Sequence, residues 1–433
     1  MRRAICISLG SSWLLSGCGN HPIATSPHAA SAPIRTISTS AASAPRYANR
    51  LVIRYKASAS SSAIRSLHQR FSLTSQREIG TLALGVLALP SQLTAEAAIG
   101  KLQGHPAVDF VEPDYLYSLP NRPATRRAAS IRRSLSAVGA SALSPFGDLW
   151  GLGKISLPAV WNAHSGHPAV TVAVIDTGVD AMHPDLAGTI VPGTSLIGGS
   201  TGPQDDHGHG THVAGVIAAN RMDGRGVYGV APACRIMPVK VLNHEGKGDT
   251  GDIVAGLIWA VNHGAKVVNM SLGGTGGSRA LMEAVRYAQS KDVLVVAAMG
   301  NEGENAQEYP AGYPGVMAVG ATDDADRLAD FSNYGSWISV AAPGVAILST
   351  LPTQTVSVNR NEGKSRNQDL MDGTSMAAPF VAGLAALVRS AYPQLTAPQV
   401  KVRIERSADD LGAKGFDERF GWGRINAQKA LAP

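Results

Sequence analysis

Three short segments of the sequence carry an acid, an imidazole and a hydroxyl in settings that suit nucleophilic catalysis. Asp176 ends an apolar run, His209 lies in a glycine-rich stretch with two other histidines, and Ser375 opens a long apolar run. A hydroxyl becomes a strong nucleophile when a neighbouring base takes its proton and a carboxylate orients that base. The three residue types therefore predict acyl-transfer chemistry if the fold brings them together.

The same sequence allows three other kinds of site. His207, His209 and His212 fall within six residues, and imidazoles so close together could hold zinc. Residues 246–251 match the GxGxxG pattern of dinucleotide-binding folds, but the next predicted strand does not end on the acid that such a site requires. Residues 198–202 fit GxSxG by letter, although no helix follows them. Zinc stays open at this point as an alternative basis for hydrolysis.

Apolar strands and longer helical stretches alternate from residue 150 onward. The predicted strands are 170–175, 236–242, 267–270, 293–298 and 316–321, and the predicted helices are 211–219, 253–263, 282–289 and 375–392. Near-continuous valine, isoleucine and alanine strands predict an α/β fold with a mainly parallel sheet that helices cover on both faces. Ligands bind to such sheets at the carboxyl ends of the strands, which is where Asp176 lies.

Residues 47–118 are predicted to form a small α+β domain. Its strands are predicted at 51–55, 82–89 and 108–111, and its helices at 61–71 and 95–102. Residues 119–146 show no periodicity and contain five arginines but no acid, so they are predicted to be an exposed basic linker. The larger domain then occupies residues 147–433.

The N-terminus is predicted to be an export signal. Arg2 and Arg3 precede an apolar run, which is the pattern of a secretory signal peptide over residues 1–17. Small residues then precede Cys18, in a sequence that resembles the lipobox of bacterial lipoproteins; an ordinary signal peptide with a chance cysteine is the alternative. Residues 18–46, rich in serine, alanine and proline, would then be a flexible lipid-anchor tether.

The charge of the chain is unevenly distributed. The formal net charge is +6, but residues 148–433 carry −5, so the larger domain is not expected to bind nucleic acid. Three cysteines exclude a disulfide framework as the source of stability. Cys234, which precedes an apolar strand, is expected to be a small buried residue.

The segments that carry the candidate side chains resemble the motifs of subtilisin-like serine proteases. They occur in the order VAVIDTG with Asp176, HGTHVAG with His209, VNMSLGG, the pair Gly300-Asn301, GTSMAAP with Ser375, and FGWGRINAQKAL near the end. The resemblance implies that Ser375 is the nucleophile, His209 the general base and Asp176 the carboxylate that orients it. It also implies that Asn301 donates its amide to the oxyanion and that Gly300 lets the substrate backbone approach closely.

The same resemblance implies a peptide-binding cleft and an inhibitory propeptide. Two backbone edges would sandwich an extended substrate, one made of Glu245, Gly246, Lys247 and Gly248 and the other of Ser271, Leu272 and Gly273. Residues 47–118 resemble the propeptide of these proteases, which acts as an intramolecular inhibitor and is removed by self-cleavage.

No cofactor is required for this chemistry, but the resemblance implies a structural calcium ion as an addition. Asp185 matches a ligand position, and Asn220 and Asp223 in a nearby loop could supply further oxygens. Two arginines make that loop less acidic than an ideal calcium site. Residues 351–371 form a long polar segment that could either border the cleft or loop outward.

The sequence thus predicts a self-processed serine endopeptidase of a bacterial cell envelope. Its expected partners are protein or peptide substrates, its own propeptide and a membrane reached through lipidated Cys18; it is expected to be a monomer. Cleavage after the propeptide would separate the catalytic domain from the anchor, so an outer-membrane lipoprotein and a protein secreted after processing both remain open. The rival hypotheses are a non-catalytic lipoprotein that binds peptides and a metallohydrolase centred on the histidines.

Overall fold

The structure, a computed structural model, describes residues 47–120, 149–200, 202–220 and 226–433. Its strands are β1 (Tyr47–Tyr55), β2 (Thr74–Ile79), β3 (Leu84–Ala88), β4 (Val108–Ser118), β5 (Thr171–Asp176), β6 (Thr194–Ser195), β7 (Arg235–Lys240), β8 (Lys247–Asp249), β9 (Val267–Met270), β10 (Leu294–Ala298), β11 (Met317–Thr322), β12 (Val340–Pro343), β13 (Ile347–Thr350) and β14 (Gln368–Met371). Its helices are α1 (Ser61–Phe71), α2 (Ala95–Leu102), α3 (Trp150–Lys154), α4 (His209–Ala218), α5 (Thr250–Asn262), α6 (Arg279–Ser290), α7 (Ser357–Glu362), α8 (Thr374–Ala391), α9 (Ala397–Arg406) and α10 (Ala427–Ala430).

The N-terminal unit is an antiparallel sheet covered by two helices. Its strands lie in the order β2-β3-β1-β4, and α1 and α2 have the bounds that the sequence predicts. Ser60 and Thr94 cap these helices, because each side chain accepts a hydrogen bond from the backbone N–H three residues later. The apolar side chains of β1, including Leu51 and Ile53, pack with Leu102 of α2 to form a separate small core.

The central sheet of the larger unit is parallel. Its strands lie in the order β12-β11-β10-β9-β5-β7-β6, and each neighbouring pair is parallel. Because side chains alternate between the two faces of a strand, β5 sends Val172 and Val174 to one hydrophobic core and Ala173 and Ile175 to another. Helices α4 and α8 cover the first face, and α5 and α6 cover the second. The α/β fold class is confirmed.

The two units share the second core. Val52, Leu84 and Tyr117 of the N-terminal unit pack with the side chains of α5 and α6. Strand β4 continues to Ser118, seven residues beyond its predicted end, and pairs with β8 of the larger unit. The N-terminal sheet is therefore extended by a strand of the larger unit.

The segment 351–371 packs against the loop that precedes α4. It contains the short helix α7 and the strand β14, which pairs with β13. The backbone N–H groups of Ser357 and Val358 donate to the carbonyl oxygens of Asp206 and His207, at 3.2 and 3.0 Å. The segment therefore supports the His209 loop rather than projecting into solvent.

Within the described ranges, one helix is long and apolar enough to cross a membrane by length and composition. This helix is α8, and 89% of it is buried inside the protein. Its apolar side chains Met376, Phe380 and Leu384 belong to the first core, as expected for the central helix of a folded domain. It also carries Ser375 at its start.

Candidate active site

The carboxylate of Asp176 and the imidazole of His209 form a buried hydrogen-bonded pair. Asp176 is the last residue of β5, and His209 is the first residue of α4. His209 Nδ1 lies 2.8 Å from Asp176 Oδ1 and 3.0 Å from Oδ2. Because a carboxylate only accepts, Nδ1 carries the proton and Nε2 is left free to act as a base. Burial opposes a charge on His209, but the Asp176 carboxylate outweighs it and raises the pKa of the imidazole.

The start of α4 is fitted closely to the end of β5. A side chain on Gly210 would collide with the carbonyl oxygen of Gly178 and come within 3.2 Å of Asp176, so only glycine allows this approach. The Gly210 N–H donates to the Thr177 hydroxyl at 2.9 Å. The glycine after His209 thus lets the imidazole reach the strand end.

Asp205 organises the first turn of α4, a role that the sequence analysis did not assign. Its carboxylate is buried and accepts hydrogen bonds from the N–H groups of Gly208 and Thr211, at 2.8 and 2.9 Å, and from the Thr177 hydroxyl at 2.9 Å. A carboxylate just before the start of a helix is stabilised by the free backbone N–H groups and by the positive end of the helix dipole. An acid four residues before His209 was the available sequence signal.

Ser375 is the second residue of α8 and is 3% exposed. Its hydroxyl donates to the carbonyl oxygen of Ser271 at 3.2 Å, and the Ser271 hydroxyl donates to the Ser375 carbonyl at 2.8 Å. Among the hydrogen bonds of the described residues there is none between Ser375 and His209. Such bonds between nucleophile and base often form only when substrate is in place.

The side chain of Asn301 is fixed by hydrogen bonds at the start of α8. Its Oδ1 accepts from the backbone N–H and the hydroxyl of Thr374, at 2.9 and 2.8 Å. The atom that faces the Thr374 N–H must be an acceptor, so Nδ2 points away from Thr374. A Cβ on Gly373 would lie 3.2 Å from Asn301 Nδ2 and 3.5 Å from the Ser375 nitrogen, so these two donors lie near the same point. Together they could bind a negatively charged oxygen.

The end of β4 occupies the predicted peptide-binding cleft. Ser118 exchanges backbone hydrogen bonds with Gly273, at 3.0 and 3.1 Å, and the Leu119 N–H donates to the carbonyl of Gly246 at 2.9 Å. The edge that contains Gly246 continues as β8, and β4 pairs with it: Leu116 lies opposite Asp249, Tyr117 opposite Gly248 and Ser118 opposite Lys247. The carbonyl oxygen of Pro120 lies 3.5 Å from Asn301 Nδ2. Glu245 and Leu272 belong to these edges; the Glu245 side chain pairs with Lys247, and Leu272 is buried.

The three neighbouring histidines do not converge on one point. His212 is buried, and its Nε2 faces the carbonyl oxygens of Ile347 and Asp369, at 3.1 Å each. Burial lowers the pKa of His212 to about 3, with a further effect of His209, so it is a neutral structural donor. In the described part of the chain no group of three or more His, Cys, Asp or Glu side chains could hold a metal ion. The structure gives no support to the zinc alternative.

The predicted calcium ligands are only partly described. Asp185 is buried, and one carboxylate oxygen accepts from the Val227 N–H at 2.9 Å. The backbone N–H of Asn220 donates to the backbone carbonyl oxygen of Asp185 at 2.8 Å, and the Asn220 side-chain amide donates to the carbonyl oxygen of Ala187. Asp223 lies outside the described residues. The two described candidates could supply one carboxylate and one side-chain amide oxygen, which is fewer than the six to eight oxygens that calcium prefers.

The other candidate groups have structural roles. Cys234 is buried, its Sγ lies 3.7 Å from the Ser390 hydroxyl, and burial raises the pKa of its thiol. Residues 247–251 form β8 and the start of α5, Gly246 directly precedes them, and β4 pairs with β8. Residues 198–202 are followed by a loop and not by a helix, and residue 201 is outside the described ranges.

Two glutamates beside Asn301 were not predicted from the sequence. Glu308 is 9% exposed, and a side chain on Gly273 would collide with its Oε2. A Cβ on Gly300 would lie 2.9 Å from Glu308 Oε2 and 2.8 Å from Glu302 Oε2. Burial, together with the neighbouring Glu302, raises the pKa of Glu308 to about 8. No motif marks these residues, because the contact depends on how the loop after β10 folds back.

Comparison with known proteins decides the family. The profile of the Subtilase family (Peptidase_S8) matches residues 167–423, and that of the fervidolysin N-terminal prodomain matches residues 33–114. The chain belongs to the subtilase family. The matched residues of this subtilase include the buried Asp176–His209 pair and the start of α8 with Ser375.

Named relatives of this subtilase are proteases. The thermophilic serine proteinase of Bacillus sp. (strain AK1) is 38% identical over 336 residues, which cover 78% of this chain and 76% of that protein. Thermitase of Thermoactinomyces vulgaris is 41% identical over 282 residues, which cover 65% of this chain and 95% of thermitase. The subtilase is thus a serine endopeptidase with an N-terminal prodomain.

A solved structure with both units is also similar. The crystal structure of fervidolysin from Fervidobacterium pennivorans, described as a keratinolytic enzyme related to subtilisin, has a TM-score of 0.76 and 31% identity to this subtilase. The match covers 91% of this chain and 62% of fervidolysin, so the chain spans less than two thirds of that protein's length.

Proposed function

We propose that Ser375, His209 and Asp176 hydrolyse internal peptide bonds of proteins through an acyl-enzyme. His209 Nε2 takes the proton of the Ser375 hydroxyl as Oγ attacks the substrate carbonyl, and it then passes the proton to the leaving amine. Water hydrolyses the resulting ester with the same base. The observation that carries this proposal is the 2.8 Å bond from His209 Nδ1 to Asp176, which fixes the orientation of the imidazole.

Asn301 and the Ser375 N–H would stabilise the oxyanion of the tetrahedral intermediate. Thr374 holds the Asn301 amide in place before the reaction, so little reorganisation is needed when the charge develops. The N-terminal end of α8 adds a positive dipole at the same point. These groups bind the charge that appears on the carbonyl oxygen, and Gly300 leaves room for the substrate beside them.

The prodomain would be an intramolecular inhibitor that the enzyme removes itself. Its last strand lies along both edges of the cleft, through the backbone hydrogen bonds of Ser118 with Gly273 and of Leu119 with Gly246. A peptide substrate would use the same backbone groups by strand addition. The domain boundaries remain our proposal: signal peptide 1–17, tether 18–46, prodomain 47–118, linker 119–146 and catalytic domain 147–433.

We also propose that the precursor is a monomeric lipoprotein anchored through Cys18. The proposal rests on the signal-like sequence before Cys18, which lies outside the described residues. The precursor would lie on the outer membrane, and cleavage in the linker would release the catalytic domain. Cys18→Ser in an uncleaved precursor should move the protein from the membrane pellet to the soluble fraction; a precursor that still pellets at high salt would exclude this anchor.

Calcium binding near Asp185 is a separate proposal about stability. The chemistry above needs no metal, and the buried Asp185 carboxylate would be one ligand of a structural calcium ion. Adding a calcium chelator should lower the melting temperature of the native protein but not that of Asp185→Asn. Equal melting curves with and without the chelator would contradict the site.

Casein hydrolysis tests the function directly. A serine-directed phosphonate should abolish hydrolysis, whereas a zinc chelator should leave it intact. A non-catalytic peptide-binding protein would hydrolyse no casein, and a metallohydrolase would be inhibited by the chelator and resist the phosphonate. The three hypotheses therefore give three different results.

The pH profile tests the role of His209. The base must be neutral to accept a proton, and Asp176 raises its pKa above the usual 6.5. Activity of the processed enzyme should therefore be low at pH 5, rise through neutral pH and persist into the alkaline range. A maximum near pH 4 would contradict a histidine base.

A further inference from the structure

The peptide seated in the cleft shows where the side chain on the acyl side of the scissile bond would lie. Ser118 pairs with Gly273, and two residues later the carbonyl oxygen of Pro120 faces Asn301. A residue at position 120 therefore lies between the edge at 271–273 and the segment that carries Gly300. From that position, a side chain would enter the space between these two segments.

The carboxylates of Glu302 and Glu308 border that space. Glu308 Oε2 lies directly against Gly273, and both carboxylates come close to Gly300. A side chain at either glycine would collide with these carboxylates, so glycine at both positions leaves room for them beside the cleft. Glu308 is nine-tenths buried although it is an acid.

No positive group of the described chain neutralises this pair. Neither Glu302 nor Glu308 forms an ion pair with a lysine, arginine or histidine in the part of the chain that the structure describes. Asn333 donates its amide to Glu302 at 2.7 Å, but Glu308 receives no such donor and faces Glu302 instead. With its pKa raised to about 8, Glu308 holds a proton at neutral pH and shares it with Glu302. A cationic side chain could take the place of that proton and pair with both carboxylates.

We propose that Glu302 and Glu308 form an acidic specificity pocket and that the enzyme cleaves preferentially after arginine or lysine. This inference rests on the proposed function, because it takes the position facing Asn301 as that of the scissile carbonyl. A long basic side chain would extend from the backbone past Gly273 and Gly300 to the two carboxylates. Arginine can bind two carboxylate oxygens with its planar fork, and lysine can bind them as a point charge.

The chain itself contains a matching substrate. Residues 119–146 hold five arginines and no acid, at positions 122, 126, 127, 132 and 133. Pro120, the residue seated beside Asn301, brings no cation to the pocket, and its carbonyl lies at 3.5 Å, a long hydrogen-bond distance. The seated segment therefore blocks the cleft without satisfying the carboxylates, whereas the arginines that follow could satisfy them.

A peptide series with one variable position tests the proposal. The series keeps residues 115–125 of this chain and replaces Pro120 by Arg, Lys, Gln, Phe or Leu, and Arg122 by Gln to leave one basic site. Processed wild-type enzyme should cleave the Arg and Lys peptides with kcat/KM at least about tenfold above that of the Phe peptide. A preference for Phe or Leu would overturn the proposal.

Variants assign the preference to the carboxylates. Glu308→Gln should lower the Arg-to-Phe ratio of kcat/KM by on the order of 30-fold or more, and Glu302→Gln should lower it less, because that side chain is exposed. Glu304→Gln removes an exposed acid of the same loop and should leave the ratio unchanged. An unchanged ratio in both Glu308→Gln and Glu302→Gln would overturn the assignment, and if Glu308→Gln does not fold, Glu302→Gln decides.

A failure of the proposed function and a failure of the specificity pocket would give different results. If wild-type enzyme cleaves none of the peptides and no casein, the proposed function is wrong. If it cleaves casein in a Ser375-dependent way but without preference for basic residues, only the specificity pocket is wrong. In addition, active enzyme added to the Ser375→Ala precursor should cut the linker after Arg126, Arg127, Arg132 or Arg133, as mapped by mass spectrometry. Cuts confined to apolar positions of the linker would contradict the pocket.

Discussion

Two of the contacts that hold the prodomain, both made by β4 and the residues after it, differ in kind. The cleft contact, residues 116–120, uses backbone hydrogen bonds to the two edges of the cleft. The docking contact uses two acids that precede it on β4, Glu112 and Asp114. Glu112 accepts from the Ser278 hydroxyl at 2.6 Å and from the N–H groups of Arg279 and Ala280, at 2.8 and 3.0 Å, at the start of α6.

Asp114 makes the corresponding contact at the start of α5. Its carboxylate accepts from the Gly251 N–H at 2.9 Å and pairs with Arg50 at 2.7 Å. Helix starts favour negative charge, so both acids suit these positions. The docking contact uses buried carboxyl groups that can titrate, whereas the cleft contact uses backbone groups that cannot.

This difference separates binding from catalysis. Backbone hydrogen bonds in the cleft are available to any extended peptide, so they position a substrate as well as an inhibitor. The acids of the docking contact belong to the prodomain, so a short peptide substrate would lack this contact, and the contact responds to pH because carboxylates titrate. Changes in the two contacts should therefore affect different measurements.

The largest effect is expected from Ser375→Ala, which removes the nucleophile without disturbing either contact. Peptidase activity should fall by at least about 10⁴-fold, in line with the loss measured in subtilisin, and the precursor should remain a single full-length chain on a denaturing gel. The docking contact keeps all its groups, so the precursor should still fold. Normal processing of the purified variant would show that another protease makes the cut.

The next largest effect is expected from Asn301→Leu. The Asn301 amide would donate to the oxyanion, so its loss should lower kcat by about 100- to 1000-fold with KM little changed. This is the range found when the equivalent donor is removed from subtilisin. Asn305→Leu, an exposed asparagine of the same loop, serves as the control. A loss that appears mainly in KM would show that Asn301 binds substrate rather than the transition state.

The sequence predicted the groups that lie near motifs and missed those that depend on distant pairing. Asp176, His209 and Ser375 each stand at a junction of a strand or helix that apolar periodicity reveals. Strand β2 was not predicted, because its residues Thr74–Ile79 are mostly polar and exposed at the edge of the sheet. The local pattern of apolar and polar residues does not show that a strand lies at the edge of a sheet.

The docking and specificity carboxylates were missed for a related reason. Glu112 meets α6 across more than 160 positions of sequence, and its neighbours on β4 give no sign of the helix that it caps. Glu308 reaches Gly273 only after the loop beyond Asn301 turns back across the cleft. Such contacts are set by the packing of whole elements, which single-chain periodicity does not encode.

A smaller, pH-dependent effect is expected at Asp114. Burial raises its pKa from the usual value of 3.8 to about 7, against the opposing effect of Arg50. The bound prodomain thus takes up a proton between pH 3.8 and about 7 that the free prodomain does not hold. Prodomain affinity should be greatest below that window and fall by at least about tenfold as pH rises through it.

The measurement is retention of the cleaved prodomain by the processed enzyme, followed by size-exclusion chromatography from pH 4 to 8. Asp114→Asn cannot titrate, so its retention should vary much less with pH. Increasing retention with increasing pH in the native protein would contradict the raised pKa and show that the ion pair with Arg50 dominates.

The smallest effect is expected from Tyr117→Phe in the cleft contact. The Tyr117 side chain is 1% exposed, and its hydroxyl donates to the carbonyl of Gly276 at 2.7 Å. Phenylalanine keeps the ring but leaves this carbonyl without its donor, at a cost of about 1 kcal/mol, or about fivefold in prodomain affinity. Burial raises the pKa of the Tyr117 hydroxyl well above 10, so it stays protonated and the loss should be equal at pH 5 and pH 8. A pH-dependent loss would mean that the cleft and docking contacts are coupled through β4 and do not act separately.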